Sequence, residues 1–214
     1  MAEEYMTDDE QLEIVKRHIK EYGAWIVGGV VLGVAGLLGW RYYESYQNTQ
    51  ALAAAGKFSE MTSAIQANDF SKSRTLADGI IKDFPNSPYA DQAQLALAGI
   101  AVDGGKSADA VAPLTLVMNS AKDTDLRQIA RLRLARVLID EGKADDAIKL
   151  LGEGTPGGFA GRYHEVRGDA LRAKKDAAGA VTEYKAALSA NDGGDGSLLE
   201  LKITDLGSNE KAKP

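Results

Sequence analysis

No cysteine occurs among the 214 residues, which excludes disulfides, thiolate metal sites and thiol nucleophiles. Histidine is almost as scarce. The two present, His18 and His164, lie far apart in sequence, and an acid–base or metal role for His164 would need partners that only carboxylates such as Glu165 and Asp169 could supply. A solvated or hydrogen-bonded helix histidine is the better reading. Proline is limited to five residues, and no stretch keeps the two-residue alternation of a strand, so an all-α fold is expected. A basic face is missing too: 25 Lys+Arg stand against 31 Asp+Glu for a net charge of -6, spread along the chain, and a nucleic-acid partner is not expected. Glycine-rich Gly152–Gly161 has neither the GxxxxGK[ST] pattern nor a preceding strand, so it reads as a connection and not a phosphate loop. Asp145-Asp146 and Asp123 with Asp125 lack calcium-loop spacing and read as acids at helix N-termini. With no paired nucleophile and base, the chain offers no catalytic residue, no metal site and no cofactor site, and is read as a non-enzyme.

What is present first is a long uncharged run, Gly23 to Trp40, GAWIVGGVVLGVAGLLGW. As a helix it spans about 27 Å, close to the roughly 30 Å hydrocarbon core of a bilayer. Only a helix satisfies its own backbone there. Trp25, Trp40, Tyr42 and Tyr43 sit near its ends, where amphipathic rings prefer the headgroup level. A cleaved signal is disfavoured because the small-x-small triplet Ala51-Leu52-Ala53 comes well after the run, past Arg41 and Glu44. Lys16, Arg17 and Lys20 precede the run and only Arg41 and Lys57 lie comparably close after it, a bias that places the N-terminus inside and the larger domain outside. The same three cations would sit where anionic lipid headgroups attract them, the alternative being that they only set topology. Gly29, Gly33 and Gly36 fall on one side of the helix, and the GxxxG spacing of the first two lets another membrane helix approach closely.

Beyond the run, alanine-rich helical segments alternate with regular breaks, and a degenerate repeat is visible. Ala110-Val111, Ala147-Ile148 and Ala180-Val181 align at separations of 37 and 33 residues, with Ser73-Arg74 a poorer match 37 residues earlier. Small residues Ala98, Ala135 and Gly168 precede these anchors, Gly105, Gly142 and Lys175 stand five residues ahead of them, and Leu114, Leu151 and Tyr184 follow. The spacing resembles tetratricopeptide repeats, pairs of antiparallel helices in which small residues let the helices close. An ordinary helical bundle is the alternative. Against it, Leu126 to Ile139 is apolar nearly all round, as a helix sandwiched between neighbours should be. The expected plan is therefore an acidic tail with a short amphipathic helix over 1–22, one transmembrane helix over 23–43, a tetratricopeptide-like helical-hairpin solenoid over 44–207 ending in a capping helix from Ser197 to Leu206, and a disordered tail over 208–214.

In that register the first helix of each hairpin lines a groove. Phe58, Thr62 and Ile65 come first, then Gln92, Leu95 and Val102, then Ile129, Leu132, Arg136 and Ile139, then Arg162, Glu165, Asp169 and Arg172. Such a face, apolar at one end and charged at the other, suits an extended or helical peptide segment. A register error of one residue would turn Leu95, Leu132 and Ile139 into core.

Taken together, the acidic tail, Val15-Lys16-Arg17, the glycine-rich membrane helix ending Leu38-Gly39-Trp40-Arg41-Tyr42, and Leu132-Arg133-Leu134-Ala135-Arg136-Val137 resemble the YfgM-type ancillary subunits of the bacterial SecYEG translocon. The resemblance covers essentially the whole chain. It implies a single-pass protein of the bacterial inner membrane, its N-terminus cytoplasmic and its repeat domain periplasmic, working beside the SecYEG translocon with a PpiD-type periplasmic chaperone on emerging, unfolded client proteins. No site residues carry over from that family. Pro85-Asn86-Ser87-Pro88-Tyr89-Ala90-Asp91 also resembles repeat proteins of envelope assembly, so a scaffold for envelope or regulatory complexes is the alternative function.

Overall fold

The computed structural model of the chain describes residues 8–154, 156–190 and 196–211. Among them there are helices and turns but no strand. The chain divides into two compact units, one up to Leu52 and one from Ala53. The expected tail over Met1 to Thr7 lies outside the described residues.

The first helix, α1, runs from Asp8 to Gln66 without a break at Tyr22 or Trp40, so the expected amphipathic helix and membrane helix are parts of one element. Near the two ends of the apolar run Trp25 is 82% and Trp40 69% exposed. It is the one helix among the described residues long and apolar enough to cross a membrane.

In the second unit, the last turns of α1 pair with α2 (Phe70–Asp83), and α3 (Pro88–Asp103) pairs with α4 (Val111–Ser120), which is entered through a 3-10 turn at Ser107–Ala110. Helices α5 (Thr124–Asp140) and α6 (Ala144–Gly152) form the third hairpin, and α7 (Ala160–Ala173) and α8 (Ala177–Ala190) the fourth. A last helix, α9, runs from Gly196 to Lys211, past the expected end at Leu206 and through the first residues of the segment expected to be a loose tail.

Local chemistry sets these starts and stops. Asp69 accepts a hydrogen bond from the Lys72 amide at 3.0 Å, Asp123 from Asp125 at 2.8 Å, and Asp176 from Gly179 at 2.9 Å, each satisfying a free N–H at a helix start. Ser87 does the same for Tyr89 at 3.2 Å, with Pro88 at the first helical position. Inside each hairpin the chain reverses through a residue with positive φ: Asn68 at 58°, Gly105 at 71°, Gly142 at 75° and Lys175 at 66°. These four occupy one repeat position. Glycine takes that conformation freely and asparagine tolerates it, whereas lysine is strained in it.

The repeat register is realised in the packing. Ser73, Ala110, Ala147 and Ala180 are all fully buried, and four residues on so are Ala77 and Tyr184, with Leu114 and Leu151 nearly so. Met61, Ala98 and Ala135 are buried on the facing first helices. Gly168, their counterpart, is buried against Tyr184, whose ring occupies the space a Cβ would need. Each apolar cluster joins one hairpin to the first helix of the next. Met61, Ala77 and Ile80 meet Ala93 of α3; Ala98, Ala110 and Leu114 meet Ala130 and Leu134 of α5; Ala135, Ala147 and Leu151 meet Val166 and Ala170 of α7. At the end Ala180, Tyr184 and Ala187 meet Leu199 of α9. Neighbours thus complete one another's cores, which is the stabilising logic of a solenoid.

Candidate peptide groove

The first helices carry the expected groove residues, and the structure divides them into three groups. At the first hairpin the groove positions are filled by their own neighbours. The Phe58 ring lies 5.3 Å from that of Tyr89, tilted by 40°; Ile65 packs on the same cluster, and the half-buried Thr62 hydroxyl donates to the Ser59 carbonyl at 2.9 Å.

In the middle, the expectation needs correction. Leu95 and Leu132 are 7% and 3% exposed and belong to the apolar clusters, so they are core and not groove lining. Ile129 and Ile139 pack against those clusters as partly buried flanks. The small side chains Ala98 and Ala135 let adjacent helices close, and the residue that closure hides is the leucine three positions earlier. What stays open is a cleft of about 330 Å³ between α3 and α5. Its walls include Gly99, Val102 and Asp103 from α3 and Arg133, Arg136, Val137 and Asp140 from α5, with Leu114 of α4 at its floor. Val102 and Arg136 are the expected groove residues that line it; Gln92 is half-buried outside the lining. Nothing lies within 4 Å of where a Gly99 Cβ would stand. The Arg133 guanidinium reaches the Leu95 carbonyl at 3.5 Å.

At the fourth hairpin the acidic groove residues are engaged by the chain itself. Lys202 of α9 donates to Glu165 at 2.8 Å and to Asp169 at 2.9 Å, and its ammonium lies 5.4 Å from the centre of the Tyr184 ring. The Tyr184 hydroxyl also donates to Asp169 at 2.8 Å. Burial, reinforced by the Asp169 hydrogen bond, pushes the Tyr184 phenol well above its ordinary range. Arg162 and Arg172 are exposed on the same helix. On the opposite side Glu183 binds His164 Nδ1 at 2.7 Å and Arg167 at 3.1 Å, which makes His164 part of the α7–α8 contact, as a helix histidine was expected to be.

Two residues of this row escaped the sequence reading although the signal was there. Thr62, Gly99, Arg136, Asp169 and Lys202 follow one another at the repeat separations of 37 and 33 residues. Extending the register one step beyond the fourth hairpin finds Lys202, and applying it inside the second finds Gly99. A second cleft, of about 350 Å³, lies apart from this row where Pro85–Pro88 meets Lys122, Asp123 and Leu126; burial there holds the Asp91 carboxyl above its usual range, against the pull of Lys122. Between α5 and α7 the buried Tyr163 hydroxyl donates to Gln128, with Arg131 beside it. Among the described residues no group of three or more His, Asp or Glu side chains is placed to hold a metal ion.

Gly29, Gly33 and Gly36 form an open face on α1: a Cβ added at any of them would meet nothing within 4 Å.

Comparison with known proteins agrees with this architecture. Residues 16–208 match the family model described as "Tetratricopeptide repeat-like domain". The ancillary SecYEG translocon subunit of Escherichia coli (strain K12) is 31% identical over 203 residues, covering 94% of this chain and 98% of that protein. The protein of the same name from Haemophilus influenzae is 25% identical over 199 residues, covering 93% and 97%. Its described residues form one membrane-length helix, four hairpins and a capping helix, and the chain belongs to the tetratricopeptide repeat-like family that includes the ancillary SecYEG translocon subunits.

Proposed function

We propose that this chain is a membrane-anchored ancillary subunit of a SecYEG translocon, an adaptor or chaperone that presents its repeat domain to proteins emerging from the channel. The observation that carries this is the likeness, over 94% of the chain, to a translocon subunit at 31% identity. It spans the anchor and the repeats together, whereas repeats alone occur in many functions. The exposed Lys16, Arg17 and Lys20 ahead of the apolar run, against Arg41 and Lys57 after it, support a cytoplasmic N-terminus and a periplasmic repeat domain. The anchor raises the concentration of the α3–α5 cleft beside the channel exit, so weak contacts with passing chains or with a PpiD-type chaperone are enough. The open glycine face of α1 supports close packing on a membrane helix of the channel or of that chaperone.

Purification from native membranes in mild detergent tests this reading. Channel subunits should stay bound, together with a periplasmic chaperone. Reproducible recovery of envelope-assembly or regulatory proteins without the channel would replace it with the scaffold reading.

A further inference from the structure

The groove row differs along its length in what fills it. At the first hairpin, Phe58 lies against Tyr89. At the fourth, Lys202 holds Glu165 and Asp169. Between α3 and α5 the row carries an open hollow, where it passes through Gly99 and then Arg136.

The row carries an ion pair within the chain. Lys202 and Asp169 occupy equivalent positions on successive first helices, and they pair at 2.9 Å. Arg136 holds the same position one helix earlier and is exposed, and no carboxylate among the described residues stands within ion-pairing distance of it, so its guanidinium is available for an incoming one. Toward the C-terminal ends of the same two helices stand Asp103 and Asp140, also equivalent in the repeat, both exposed and both lining the cleft. Two carboxylates on one rim favour a cation there. Beside Arg136, at the equivalent position of α3, Gly99 leaves a space in which a Cβ would meet nothing within 4 Å, and Val102 and Val137 also line the cleft.

We infer that the α3–α5 cleft binds an extended segment of another protein carrying a carboxylate against Arg136, a small aliphatic side chain over Gly99, and a cation between Asp103 and Asp140. The charge order of the cleft selects this occupant over a wholly apolar or wholly basic chain. The inference rests on the proposed function, whose partner chemistry it specifies. A cleft this open binds weakly alone, and tethering beside the channel compensates.

The test uses the full-length protein in detergent micelles and four fluorescein-labelled peptides, each a glycine–serine chain. The first carries Glu, Val and Lys at alternate positions; the others replace Glu by Lys, Lys by Glu, or Val by Gly. Anisotropy titrations should show the first binding best, with roughly tenfold loss for each replacement. Gly99→Leu should abolish the preference by filling the hollow. Arg136→Glu should weaken the Glu-Val-Lys peptide and strengthen the Lys-Val-Lys peptide, a reversal that a folding defect could not produce. Equal affinity for all four peptides, or a preference unchanged by both substitutions, would overturn the inference. Recovery of channel subunits with the unaltered protein, measured in parallel, reads the translocon association independently: channel retained with no peptide preference sinks the cleft inference alone, and channel absent sinks the functional reading.

Discussion

Glycine occurs in both units of this chain and does opposite work in them. In the repeats, Gly168 is small because Tyr184 fills the place of its side chain. In the anchor, Gly29, Gly33 and Gly36 are small with nothing of this chain against them. The first space is closed by the fold, and the second is not filled by any residue of this chain. The same contrast holds for the large residues, since Tyr184 is fully buried while Trp25 and Trp40 are largely exposed. A soluble core is built by water's exclusion of apolar surface, but in lipid a helix gains nothing from hiding leucine, so small residues that bring backbones close become the means of association.

Substitution at the two kinds of glycine should separate them, and here the largest effect is expected. Gly168→Leu forces a side chain into the Tyr184 ring and should lower stability by about 3 kcal/mol, the upper end for overpacking a filled core. Thermal unfolding followed by circular dichroism measures it. Gly33→Leu should leave that transition unchanged while reducing recovery of bound membrane partners. If Gly168→Leu unfolds at the same temperature as the original protein, the close helix approach is not limiting; if Gly33→Leu keeps every partner, the glycine face is not a contact.

A somewhat smaller effect is expected where the last helix meets the repeats. Lys202→Met removes the cation that Glu165 and Asp169 share and leaves both carboxylates, about four-fifths buried, without it. The loss should be about 2 kcal/mol, in the range for hydrogen bonds to charged groups. The same measurement on Lys57→Met, whose partner Asp83 is 46% exposed, should show little change, because a solvated pair contributes little. Equal losses at the two sites would remove the distinction between a structural ion network and a surface one.

Tyr184 adds a dependence on pH with a definite sign. In the fold its phenol is held protonated above the ordinary tyrosine value of 10.0, chiefly by burial. In the unfolded chain it ionises near that value. The unfolded state therefore binds fewer protons above it, and stability is complete below about pH 10 and falls as pH rises further, by at most about 1.4 kcal/mol per unit for one group. Tyr184→Phe should flatten that part of the stability curve; a slope unchanged from the original protein would assign the alkaline loss to other groups.

Much of the fold could be read before the structure because the repeat writes each constraint several times. A single alanine such as Ala147 says little, but Ala110, Ala147 and Ala180 at matching intervals define a buried position, and even Ser73, a poor match by type, is fully buried there. The groove was harder. Leu95 and Leu132 sit where outward-facing residues were expected, and whether such a leucine lines a groove or is covered depends on how closely neighbouring helices approach, a tertiary distance with no local signature. Glu165 and Asp169 were placed correctly on α7, yet their engagement by Lys202 required knowing that α9 continues the row of first helices. The uninterrupted α1 was obscured for another reason: Glu44 to Gln50 is polar enough to read as the start of a new domain, although nothing in it breaks a helix.

The smallest predicted effects concern the turn of each hairpin, where one position is occupied by Asn68, Gly105, Gly142 and Lys175, all at positive φ. For an L side chain that conformation costs about 1 kcal/mol, which glycine avoids. Gly142→Ala should therefore destabilise by about 1 kcal/mol through the backbone alone, since a Cβ there meets nothing within 4 Å. Lys175→Gly relieves the same strain in the fourth hairpin and should gain about that amount, less the extra freedom glycine gives the unfolded chain. Opposite shifts in unfolding midpoint, at unchanged denaturant dependence, would show that the four turns are one device with different residues in it. A destabilisation by Lys175→Gly as large as that by Gly142→Ala would mean that the lysine stem contributes packing that outweighs its backbone strain, and the fourth hairpin would then differ from the others in its turn as well as in its shorter spacing.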